Sequence, residues 1–170
     1  KIPNNSAFTF ANDFTFSTWA KFNESWTYKA HSLIWKKPNT LKYVLMVNED
    51  SGYKLHFQPY GLDASVAVNY SDISKWFHVA GVYSDGTAKL YLNGKLVSTG
   101  SGTPNGSDAD GDLFFGGAEN PSGNTKSRDM DDVRIYNRAL SSTEIAQLFG
   151  SEAPIDPSLI AHYPFSGNAV

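Results

Sequence analysis

Seventeen carboxylates, four histidines and no cysteine bound the chemistry open to this chain of 170 residues. Without cysteine there is no thiol nucleophile, no disulfide and no thiolate zinc site. His31, His56, His78 and His162 stand at no metal-ligand spacing. His78, inside WFHVAGV, has the setting of a hydrogen-bonded core histidine. No Ser–His–Asp order and no glycine-rich phosphate loop is visible. Glycoside hydrolysis needs paired carboxylates from separate strands on one concave face, whereas Glu24, Glu49 and Glu119 fall in segments that read as loops.

Two acidic clusters have the oxygen ligands that a hard cation takes. Asp131 and Asp132 open DDVRIYN, where strand alternation puts Asp131 with Val133 and Ile135 and puts Asp132 with Arg134. A carboxylate turned toward a core needs a partner. The pair therefore predicts a structural Ca²⁺, or else an Asp bonded to backbone amides beside an Asp132–Arg134 surface pair. The second cluster is Asp108, Asp110 and Asp112 in NGSDADGD. It has the look of a calcium loop, but its glycine comes too early for the EF-hand order, and a solvated acidic loop is the plainer reading.

Aromatic residues are abundant, and sugars stack their C–H faces on rings that keep one side wet. Trp26 and Tyr28 in FNESWTYKAH, Trp35 beyond it, and Tyr60 in the turn QPYGLD are the candidate glycan contacts. Ordinary loop packing is the alternative for each. Trp19 and Trp76 fall in strand segments and read as packing. Trp19 has the opposite parity to Phe14 and Phe16, which places it under a loop rather than in the central core. Asn4, Asn23, Asn69 and Asn105 head Asn-X-Ser/Thr triplets, which carry no meaning in a bacterial protein. A net charge of −3 argues against nucleic acid or an anionic membrane as the main partner. No apolar run is long enough for membrane insertion, and no signal peptide is visible.

The elements that must position these residues are short strands. FTFSTWAKF (14–22), 32–37, 41–47, 53–58, 64–70, 76–83, 87–92, 95–99, 111–117 and 130–137 alternate or run apolar between turn signals. Asn93-Gly94 joins two of them, the strongest short hairpin signal. Such a pattern means an all-β sandwich or barrel. One helix interrupts it: ALSSTEIAQLFG has Ser141 as N-cap, Glu144 to complete a capping box, Leu140 and Ile145 as a hydrophobic staple, and Ile145, Leu148 and Phe149 on one face.

FTFSTWAKF, KWFHVAGVYSDGTAKLYLNGKLV and DDVRIYNRALSSTEIAQLFG together resemble the laminin-G-like, concanavalin-A-like jelly-roll domains of bacterial extracellular proteins. The resemblance covers residues 1–150. It implies an antiparallel two-sheet jelly-roll sandwich with one short helix at about 142–149, followed by a linker over 151–158. Related jelly rolls carry calcium beside the strand that corresponds to DDVRIYN. The implied function is a non-catalytic carbohydrate-binding or adhesion module, secreted or at a bacterial cell surface, with a polysaccharide or cell-surface glycan as partner. The alternatives are a structural repeat that assembles by strand exchange and, below it, a glycoside hydrolase.

The family's opening strand resembles LIAHYPFSGNA, which here stands last. Leu159, Ala161, Tyr163 and Phe165 alternate as a half-buried strand does, and Pro164 confines it to an edge or to its own end. The order suggests one repeat plus the first strand of another from a tandem array. The expectation is that 159–165 pairs beside DDVRIYN, either in its own domain or in a neighbouring copy.

Overall fold

The computed structural model describes residues 1–10, 13–23, 30–37, 43–49, 52–104, 111–116, 128–150 and 159–163. Two antiparallel sheets face each other. One has six strands in the order β11 (Leu159–Tyr163), β10 (Arg128–Tyr136), β1 (Phe14–Phe22), β6 (Phe77–Ser84), β7 (Thr87–Leu92) and β8 (Lys95–Ser101). The other has five, in the order β5 (Ala64–Val68), β4 (Tyr53–Pro59), β3 (Tyr43–Glu49), β2 (Ala30–Lys37) and β9 (Asp112–Phe115). The all-β antiparallel sandwich expected from the strand pattern is what the chain forms.

The main core lies between the sheets. Phe14 and Phe16 of β1 project into it with no exposed surface and pack on Phe10 and Phe57. Full burial of such a ring is worth roughly 2–3 kcal/mol. Gly81 faces Phe57 so closely that a Cβ there would lie 2.3 Å from the ring. Lys36 is also buried on this side, with its ammonium donating to the Phe8 carbonyl at 2.5 Å.

A second, smaller core lies on the outer face of the six-stranded sheet. There α2 (Ser142–Gly150) lays Ile145 and Leu148, with Leu140, over Ala80, Val82, Tyr91 and Tyr136. Its start is fixed as the sequence predicts. The Ser141 Oγ accepts from the Glu144 amide at 3.3 Å, and the Glu144 carboxylate accepts from the Ser141 amide at 2.7 Å. Arg138 adds a two-pronged salt bridge to Glu144 at 3.1 and 2.5 Å.

Three details differ from the expected pattern. The strand read as 64–70 stops at Val68, because Asn69 caps a single helical turn, α1 (Tyr70–Ile73), that buries Ile73. Trp76 stays outside β6, which begins at Phe77. β11 pairs with β10, with Val133 opposite Tyr163, Arg134 opposite His162 and Ile135 opposite Ala161, but the register shifts before Leu159 meets Tyr136. Ala161 and Tyr163, with Ile160, pack on the main core, while Leu159 joins the core under α2. The single-face alternation expected of Leu159, Ala161 and Tyr163 is broken by that shift, and Phe165 lies outside the described residues.

Candidate functional site

The outer face of the six-stranded sheet is divided by α2. Alternation along β1, β6 and β10 puts four rows of side chains there. The first two, Thr15–Val82–Tyr136 and Ser17–Ala80–Arg134, lie in or beside the helix-covered core. The third is Asn93, His78, Trp19 and Asp131. At the next position in register Lys21 pairs with Asp129, and Trp76 stands just before β6.

Four large apolar side chains are exposed among the described residues: Trp76 (46%), Leu96 (49%), Val97 (37%) and Phe149 (40%). Trp76, Leu96 and Phe149 surround one feature, the Asn93-Gly94 turn. The Asn93 amide donates to the His78 carbonyl at 2.8 Å, and its side-chain oxygen accepts from the His78 amide at 2.9 Å, which ties the turn to the start of β6 beside Trp76. Leu96 follows the turn opposite Tyr91. Gly94 abuts Phe149 so closely that a Cβ there would lie 3.2 Å from that side chain. Phe149 stacks on Trp19, with ring centroids 5.5 Å apart and planes 25° from parallel. The result is an aromatic surface bordered by polar groups. Asp129 takes the Lys21 ammonium at 3.7 Å and accepts from the Asn23 amide group at 3.1 Å.

Beneath it, His78 Nε2 and the Ser17 hydroxyl share a hydrogen bond of 2.8 Å. Burial pushes the His78 pKa down to about 4, only partly countered by the Asp132 charge, so the ring is neutral at pH 7. Ser17 and His78 are each 1% exposed, so this hydroxyl cannot reach a substrate in the conformation described.

A β-bulge shapes the far edge. Between the pairs Ser17–Arg134 and Trp19–Asp131, Asp132 and Val133 together oppose Thr18, and Asp132 takes a left-handed φ of 52°. The extra residue reverses the parity expected for this strand. Val133 and Ile135 face the core, but Asp131 pairs with Trp19 on the outer side. Asp131 Oδ1 accepts from the Asp132 amide at 2.7 Å. The Asp132 carboxylate is clasped by Arg134 at 3.0 Å on each oxygen and by His162 of β11.

A family model described as the concanavalin A-like lectin/glucanases superfamily matches residues 1–146. The chain belongs to that superfamily. Solved structures with the same fold include a heptameric SAP-like pentraxin from Limulus polyphemus, with TM-score 0.65 and 16% identity over 92% of this chain and 84% of the pentraxin. A structure of botulinum neurotoxin type C, whose cell entry depends on interaction with two ganglioside molecules, gives 0.63 and 21% over 84% of this chain and 36% of the toxin chain. Trypanosoma rangeli sialidase in complex with 2,3-difluoro-KDN gives 0.63 and 18% over 82% of this chain and 23% of the enzyme. This lectin-like chain thus spans little more than a third of the toxin chain and under a quarter of the sialidase. At these identities the likeness is one of fold.

Within this lectin-like sandwich, the residues singled out by sequence are scattered. Trp35 is 4% exposed and stacks on Phe114 at 4.7 Å. Tyr60 is 5% exposed: its turn, at φ 50°, throws the ring inward against Phe14 and Tyr83, and its hydroxyl donates to the Phe10 carbonyl. Neither offers a wet aromatic face, contrary to expectation. Trp26, Tyr28, Asp108 and Asp110 lie outside the described residues. Asp112 is bound by the Lys1 ammonium at 2.6 Å and the Asn4 amide at 2.9 Å, which hold its carboxyl below the usual range. The oxygens of Asp112 and Asp132 are engaged by cationic and amide donors. No three His, Asp or Glu side chains gather as a metal site among the described residues.

Trp76 is the aromatic residue that sequence reasoning misassigned to packing. It stands just before the first residue of β6 and is 46% exposed. Trp19 lies under Phe149 rather than under a loop. Phe149 follows Ile145 and Leu148 around the helix, yet overhangs the core they fill.

Proposed function

We propose that this domain is a non-catalytic carbohydrate-binding or adhesion module of an extracellular, bacterial protein, and that the surface around Trp76 binds the glycan. The observation that carries this reading is the half-exposed indole of Trp76, two residues before His78 on the sheet face that holds the Trp19–Phe149 stack and the Lys21–Asp129 pair. Flat rings take the C–H face of a pyranose, and flanking amide and carboxylate groups bond its hydroxyls. The superfamily and the ganglioside-dependent entry of a toxin with the same fold support a glycan as the ligand class. Trp26 and Tyr28, which follow Asn23 in the sequence, stay candidates for the same ligand.

The test is a glycan array followed by isothermal titration with the hits. Trp76→Ala is expected to lower affinity at least tenfold, with Trp35→Phe as a buried control that changes little. No binding to any glycan, or full binding by Trp76→Ala, rejects the assignment. Calcium belongs to the proposal as a structural ion at Asp131 or Asp132. A melting temperature that rises with calcium and falls with chelator supports it, and an unchanged one removes it.

A second reading, assembly by strand exchange, is favoured by one observation: β11 is an edge strand reached through residues 151–158. The same pairing with β10 is open to a strand from another copy. Sedimentation at rising concentration, with and without a 158–170 peptide, separates a self-docked monomer from peptide-capped polymers.

A further inference from the structure

His78 has an unmet hydrogen bond beneath the aromatic surface. Its Nε2 is joined to Ser17, but Nδ1 is buried with no partner among the described residues. A buried polar group left without a partner forfeits the hydrogen bonds it made in water, so a fold that retains one calls for a reason. Two rings flank the imidazole: Trp19 at 5.5 Å, its neighbour in register, and Phe149 at 6.2 Å. Phe149 alone of these comes from outside the sheet. It hangs from the last turn of α2 and is 40% exposed, whereas Ile145 and Leu148, at 0% and 5%, hold the helix down. Its ring can therefore leave Trp19 without undocking α2. A pyranose ring has nearly the footprint of a phenyl ring and stacks on indole through its C–H face.

We infer that Trp19, His78 and Ser17 form a second sugar subsite, which Phe149 fills in the free protein and a pyranose ring fills in the complex. The incoming ring lies on Trp19, and one of its hydroxyls bonds His78 Nδ1. The Asn93-Gly94 turn walls the subsite on one side and carries it toward Trp76, so the two positions suit successive residues of one chain. The neutral state of the imidazole lets it accept or donate to a hydroxyl at physiological pH. This inference rests on the glycan reading, but it predicts an effect of opposite sign for Phe149 and for Trp76.

Cellohexaose, xylohexaose and mannohexaose are titrated by calorimetry into the wild type, Trp76→Ala, Phe149→Ala and the double variant Trp19→Ala/Phe149→Ala. Histidine ¹⁵N spectra are recorded alongside. Phe149→Ala is expected to bind at least fivefold tighter than the wild type, with a sugar-dependent shift of the His78 Nδ1 resonance. The double variant loses that gain. If Phe149→Ala does not fold, Phe149→Leu, which keeps an apolar side chain on the helix, replaces it. Unchanged or weaker binding in a folded Phe149 variant overturns the subsite and leaves the Trp76 reading standing. Binding by the Phe149 variant alone supports the subsite without Trp76. No binding of the three hexaoses by any of the four proteins, together with a blank glycan array, overturns both.

Discussion

Two buried or paired side chains contribute to the acid stability of this domain in adjoining pH windows. His78 has its pKa lowered from 6.5 to about 4, first by burial. Below pH 6.5 the unfolded chain takes up a proton that the folded ring refuses, so stability falls as pH drops from 6.5 toward 4. The full loss is about 3 kcal/mol at roughly 1.4 kcal/mol per pH unit. His78→Gln is expected to flatten urea-unfolding stability across that window, and an unchanged slope would mean that the ring is not buried neutral. Glu144 has its pKa lowered from 4.5 to about 2, first by the Arg138 hydrogen bonds and then by the Ser141 amide. Its contribution is complete above pH 4.5 and fades as pH falls toward 2. Glu144→Gln should lower stability at pH 7 but not at pH 2. Ser141→Ala removes the hydroxyl from the same cap and should cost about 1 kcal/mol by urea denaturation.

At the scale of elements, β6 and β10 constrain the site most. β6 is central, buried from Phe77 to Tyr83, and lies against β4 through Gly81. A methyl group at Gly81 would meet the Phe57 ring at 2.3 Å, and strands on both sides of β6 restrict any retreat. Gly81→Ala is therefore expected to lower unfolding free energy by about 1–3 kcal/mol, as overpacked cores do. A loss under 0.5 kcal/mol would show that the sheets separate more easily than their packing implies. β10 does its work through the bulge at Asp132. One extra residue turns Asp131 outward beside Trp19 and leaves Asp132 within reach of Arg134 and His162.

At the scale of the molecule, the six-stranded sheet is closed on one side by β11. Its loss would expose the β10 edge, uncover part of the main core at Ile160, Ala161 and Tyr163, and leave Asp132 with Arg134 alone. A chain truncated after residue 157 is expected to melt at lower temperature and to self-associate, because an open edge beside apolar surface is a template for another strand. Unchanged melting and unchanged sedimentation would show that β11 adds nothing to the fold. The same edge decides whether the domain works singly or as a link in an array, so this measurement bears on both proposed functions.

The sequence by itself determined the sandwich, the hairpins and the helix with its cap. Each depends on local signals: alternation along FTFSTWAKF, Asn93-Gly94 between apolar runs, and Ser141 three residues before Glu144. The superfamily was legible for the same reason, since its motifs are strands and caps read in order. Which aromatic residues meet solvent was not legible. Tyr60 in a turn looked exposed and is buried, because a left-handed backbone turns its ring inward. Trp76 looked like a packed strand residue and is exposed, because β6 begins only after it. Parity failed along β10 and β11, where a bulge and a register shift move side chains to the opposite face. Sequence specifies each element's two faces, but only the packed structure decides which face another element covers, and solvent reaches whatever is left.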